Sequence, residues 1–75
     1  MYKTIEEAKT GLQAQIAVDL AKTGMATLTT CDQASYGWCL FTHEAMHWLK
    51  RHPPTGWLVK SQVKFECTDW TIVLD

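Results

Sequence analysis

His43, Glu44 and His47 stand in the pattern HExxH inside the stretch THEAMHWLKRHPP, residues 42–54. Two histidines four residues apart share one face of a helix. Both rings can then reach a single Zn²⁺, while the glutamate between them polarises an attacking water. Three cysteines, Cys31, Cys39 and Cys67, are the other residues with reactive side chains. They are odd in number, lack CxxC spacing and have no evident base beside them. The pattern predicts free, mostly buried thiols in a reducing cytoplasm rather than a disulfide scaffold, with a Cys31–Cys39 bridge as the one pairing left open.

The five letters from His43 to His47 resemble the signature helix of the gluzincin and metzincin peptidases. That resemblance implies a zinc hydrolase in which His43 and His47 hold the metal and Glu44 serves as general base. The rest of the chain departs from the family. His52 falls one residue short of the metzincin third ligand, and the glycine of that motif is missing. A helix capped at Thr42 puts His43 in its first turn. A helical wheel places Phe41, Ala45, Trp48, Leu49 and His52 on the core face, and turns His43, His47, Lys50 and Arg51 outward into water. Two cations beside the histidines disfavour a dication. The expectation is therefore no cofactor and no enzyme, with zinc at His43 and His47, and a zinc hydrolase, as the lesser alternative.

The elements that carry these residues follow from spacing. Thr4 and Glu7 form a capping box, and Ile5, Ala8, Leu12, Ile16 and Leu20 recur every three or four residues up to Gly24, so a first helix is predicted between them. Gly11 inside that pattern costs about 1 kcal/mol relative to alanine and points to close packing against a neighbour. ATLTTC, DQAS and YGWCLF read as two strands and a turn. This hairpin sets Thr29 opposite Trp38, Thr27 opposite Leu40, Leu28 opposite Cys39 and Ala26 opposite Phe41. A short second helix runs from Thr42 to about His52, where Pro53 and Pro54 end it. The alternation from Trp57 to Cys67 and a turn at Thr68-Asp69 predict a second hairpin, with Cys67 opposite Trp70, Phe65 opposite Ile72 and Val63 opposite Leu74. The fold class predicted is α+β, one domain over residues 1–75, in the order α-β-β-α-β-β. Its four-stranded, mainly antiparallel sheet has both helices on one face, and residues 1–3 are a further edge strand in prospect.

On that fold, Tyr36, Trp38 and Leu40 share an outer sheet face with Thr27, Thr29, Lys60, Gln62 and Lys64. Aromatics among polar groups suit a partner-binding surface. His43, His47, Lys50 and Arg51 make a second, basic contact patch on the helix. With 7 Lys+Arg against 8 Asp+Glu, the net charge of −1 argues against a dedicated nucleic-acid binder. Stacking of single-stranded RNA or DNA on the aromatic and lysine face therefore ranks second. The first helix is charged from its start and no apolar run reaches membrane length, so a soluble cytoplasmic protein without a membrane partner is expected. The reading is a non-enzymatic protein-binding module, able to form a homodimer, that blocks a larger host protein or ribonucleoprotein complex. In size and style it is similar to the anti-CRISPR and other anti-defence inhibitors of phages and mobile elements, which would place it in the host cytoplasm.

Overall fold

The structure, a computed structural model, describes the backbone of residues 2–32 and 37–75 and the side chains of residues 2–32 and 41–75. The element order is α1 (Ile5–Thr23), β1 (Met25–Cys31), α2 (Gly37–Arg51), β2 (Trp57–Lys64) and β3 (Cys67–Leu74). The expected four-stranded sheet is corrected to three strands in the order β1-β3-β2, with β3 antiparallel to both neighbours. The flanking strands β1 and β2 consequently run parallel, joined through α2. This is a βαβ unit split by the later strand.

α1 forms where its signals lie. Thr4 Oγ1 accepts the Glu7 backbone N–H at 3.1 Å, and Glu7 reaches back to the backbone N–H of Lys3 at 3.3 Å, one residue before the partner of an ideal capping box. Gly24 closes the helix at φ 78, with its N–H on the Leu20 carbonyl. Ala8, Leu12, Ile16 and Leu20 are buried as the spacing predicts. Gly11 has its close neighbour: a Cβ there would run into the ring of Tyr2, which packs against the core. Residues 2–3 form no strand.

The first hairpin does not form. Residues 37–41, expected as a strand, are the opening of α2, and the DQAS turn and Tyr36 lie largely outside the described residues. A short apolar run fits either structure, but here it continues the fifteen-residue helix of Gly37–Arg51. Each residue added to a nucleated helix gains one backbone hydrogen bond for one residue fixed, whereas a new nucleus fixes three residues for its first bond. β1 pairs instead with β3, so Leu28 faces Trp70 and Ala26 faces Ile72.

The second hairpin forms with its turn three residues earlier than expected, at Phe65-Glu66 rather than Thr68-Asp69, because Cys67–Leu74 is drawn whole into the centre of the sheet. Val63 therefore faces Thr68, Ser61 faces Trp70, Val59 faces Ile72 and Trp57 faces Leu74. The odd residues of β2 still share a face with the even residues of β3, but Cys67, expected on that face, pairs with Lys64 and lies on the opposite one.

Alternate residues of β1 and β3 are buried, which places both helices on one side of the sheet. Ala45, Met46 and Leu49 of α2 meet the α1 stripe and Ala26, Val59, Trp70 and Ile72 in one core. Met46, Leu49, Trp70 and Ile72 are 0% exposed, and full burial of an aliphatic side chain of this size stabilises by roughly 2 kcal/mol. No helix among the described residues is long and apolar enough to cross a membrane.

A disulfide joins Cys31 to Cys67, correcting both the expectation of free thiols and the Cys31–Cys39 alternative. The two residues are direct cross-strand partners. Asp32 donates its N–H to the Glu66 carbonyl at 3.1 Å, so the neighbouring pair 31/67 occupies a non-hydrogen-bonded position, where antiparallel backbones approach most closely. Their Cα atoms are 4.0 Å apart. The bridge could not be read from spacing because it depends on a register between strands far apart in the chain.

Candidate functional site

The core face of α2 is rotated toward Met46 relative to the helical wheel. Trp48 is only partly buried, with its ring stacked on His52 at 5.0 Å and capped by Lys9 Nζ at 4.3 Å, and His52 is exposed. The histidines move the other way. His43 and His47 are half-buried rather than turned into water, because their side of the helix leans over the β1/β3 surface.

There they join a polar relay. The Trp70 indole N–H donates to Thr30 Oγ1 at 2.8 Å, and Thr30 Oγ1 lies 2.8 Å from His43 Nδ1. Since indole can only donate, the Thr30 oxygen accepts from it, and its hydroxyl can donate to Nδ1 in the tautomer that leaves this nitrogen without a hydrogen. His43 and His47 meet edge to face at 4.6 Å between ring centroids, and His47 meets Trp70 edge to face at 4.9 Å. Burial, then the neighbouring His43, Arg51 and Lys50, push the His47 pKa down, against a smaller upward pull from Asp32. Thr30 and His43 have the spacing of a nucleophile and its base, yet Thr30 is 3% exposed and already accepts the indole N–H. The pair is a structural bond, not a reactive one.

Glu44, His47 and Arg51 line a cleft of about 370 Å³ with Trp48, Ile5 and Lys9, between α2 and the start of α1. Lys50 leaves this group: its Nζ bonds Ser61 Oγ at 2.6 Å, tying α2 to β2. The expected basic patch is thus divided between two sides of the helix. No group of three or more metal-ligating side chains occurs among the described residues.

The outer sheet face is also redrawn. Trp38 and Leu40 belong to the first turn of α2 rather than to a strand, and Tyr36 lies outside the described residues. What the helices leave uncovered is a mainly polar surface edged by an apolar row: Met25, Val73 and Leu58 first, then Thr27, Thr71 and Lys60, then Thr29, Asp69 and Gln62. Thr29 Oγ1 donates to Asp69 at 2.7 Å and Lys64 pairs with it at 3.1 Å. Together they hold the Asp69 carboxyl below the usual carboxylate range. The strand residues on this face include no aromatic ring on which a base could stack, since Trp57 and Trp70 are on the covered side.

The largest departure from an inert surface is the β2/β3 turn. Phe65 is 101% exposed, Val63 is 70% exposed, and Phe65 sits at φ 58. A bulky side chain in the left-handed region costs on the order of 1 kcal/mol, and two-residue hairpin turns ordinarily place glycine or asparagine there. The alternation pattern assigns Phe65 to a strand, whereas it stands in the turn between β2 and β3. No sequence signal marks it, since the alternation runs unbroken through Phe65 to Cys67 and changes phase only at Thr68-Asp69. No family model matches the chain, and the comparisons with curated proteins and with solved structures likewise find no similar protein.

Proposed function

We propose that this chain is a small protein-binding module that seats the Phe65 hairpin tip in an apolar pocket of a larger protein and acts by covering that surface. One observation carries the reading: an aromatic side chain is held fully in solvent on a strained backbone. Neither the core nor the turn gains from phenylalanine at this position, whereas a buried aromatic anchor typically contributes 2 kcal/mol or more to an interface. Val63 widens the apolar contact, and Lys60 and Lys64 on the adjoining strand favour a pocket with an acidic rim.

The disulfide removes the free-thiol argument for a reducing compartment, and the reading rests on no particular host or location.

The test uses Phe65→Gly, which removes the ring and relieves the turn. A partner captured on the immobilised chain is purified and titrated against both forms. The reading predicts wild-type binding at one-to-one stoichiometry, weakened at least roughly 30-fold by Phe65→Gly, with the variant as stable as the parent. Equal affinity of both forms refutes the reading.

A further inference from the structure

We infer that His43 and His47 form a two-histidine site for a late first-row divalent cation, Zn²⁺ or Cu²⁺, with water completing the coordination. The argument is independent of the hairpin tip. α2 carries the two rings one helical turn apart, and they already meet edge to face at 4.6 Å between centroids. Metal–nitrogen bonds of about 2 Å place an ion roughly 3 Å from each ring centre, so two rings up to about 6 Å apart can share it.

The His43 ring is not free to wander. The buried Trp70 indole holds Thr30, and Thr30 holds Nδ1, which leaves Nε2 as the ring nitrogen that Thr30 does not engage. Metal-ligating histidines commonly anchor the second ring nitrogen in this way, because donation from N–H fixes the tautomer and raises the basicity of the ligating nitrogen. Thr30 Oγ1 can serve that state too: with two lone pairs it can accept both the indole N–H and Nδ1–H once Nε2 takes the metal. His47 makes no hydrogen bond among the described residues, so a ring nitrogen is available. Lys50 is bonded to Ser61, but both Lys50 and Arg51 still repel positive charge at His47, so the imidazole nitrogens must bind the cation against that field.

Nothing here restores a peptidase. A third protein ligand is missing among the described residues, and a zinc peptidase needs one beyond the two histidines. Imidazole ligands select zinc and copper over Mg²⁺, which prefers oxygen donors.

The test uses the tag-free, disulfide-bonded chain carrying Cys39→Ser, so that the one cysteine outside the bridge cannot bind metal. Calorimetric titration with ZnCl₂ should show one ion per chain at micromolar affinity, and MgCl₂ should show none. Zn²⁺ at a hundredfold excess over Kd should raise the melting midpoint by roughly 10 °C or more. His47→Ala should weaken binding at least tenfold while His52→Ala leaves it unchanged. His47→Gln gives a second reading if the alanine variant folds poorly. Absence of stoichiometric Zn²⁺ binding, undiminished binding in both His47 variants, or loss of binding on His52→Ala overturns the site.

Discussion

Reduction of the Cys31–Cys67 bridge, or its replacement by Cys31→Ser/Cys67→Ser, should be the most damaging covalent change this chain can suffer. The bridge closes a loop over a separation of 36 residues, close to half of the 75. A cross-link over a loop of that size removes unfolded-chain entropy equivalent to about 4 kcal/mol at 25 °C in the loop-closure account. The whole stability of a domain this small is of the same order, so the reduced chain should sit close to its unfolding threshold. At roughly 4–8 °C per kcal/mol for a domain of this length, the melting midpoint should fall by roughly 15–30 °C. The assay is urea unfolding followed by tryptophan emission, with and without reductant, on the parent and on Cys39→Ser. Both proteins should lose stability on reduction, and the urea dependence should steepen because the uncrosslinked chain exposes more surface when it unfolds. The double serine variant should match the reduced parent. A midpoint insensitive to reductant, or a Cys39→Ser variant that alone abolishes the effect, would refute the assignment of this pair.

Three further outcomes follow from packing and charge. Leu49→Ala, at a fully buried site between helices and sheet, should destabilise by about 2–5 kcal/mol in urea unfolding. Gly11→Ala should displace the Tyr2 ring; in a Tyr2→Ala background, where no ring is in the way, it should instead stabilise by about 1 kcal/mol through helix propensity. The Thr29 hydroxyl and Lys64 lower the Asp69 pKa below its ordinary 3.8. Its contribution should therefore be fully present above that value and be lost as pH falls through the lowered one. Asp69→Asn should remove this part of the acid loss, seen as a shallower fall in stability below pH 3.8 in a pH series of unfolding curves.

The local parts of this fold are legible in the residues. Thr4, Glu7, the Ala8–Leu20 stripe and Gly24 specify α1 through interactions no more than one turn long. The alternation assigns the faces of β2 and of Trp70, Ile72 and Leu74 correctly, because strand period is a property of the backbone itself. It puts Cys67 on the wrong face because it places the turn too late. What fails is pairing at a distance. Nothing within Met25–Cys31 says that its partner is Cys67–Leu74 and not the apolar run beside it. Without that pairing, WCLF looks like a strand and Cys31 has no visible partner. The candidate site is lost for a related reason. The wheel centred α2 on Trp48 and left out Met46, and that rotation was enough to send His43 and His47 from the Thr30–Trp70 relay into solvent. Phe65 was hidden by the same pattern that revealed its neighbours, since alternation does not say where a strand stops.

The placement of β3 between β1 and β2 also dictates an order of events. During vectorial synthesis both flanking strands emerge before the segment that joins them, and neither has another strand to pair with in the meantime. Until Cys67–Leu74 arrives, their backbone donors and acceptors remain open to water or to other chains, and the Cys31 thiol waits for a mate that does not yet exist. Docking of one late strand then completes two ladders, the central core residues Trp70 and Ile72, and the cross-link together. Cooperative folding should therefore begin only with that segment in place, and chains interrupted before it should be prone to aggregate rather than persist as partly folded intermediates.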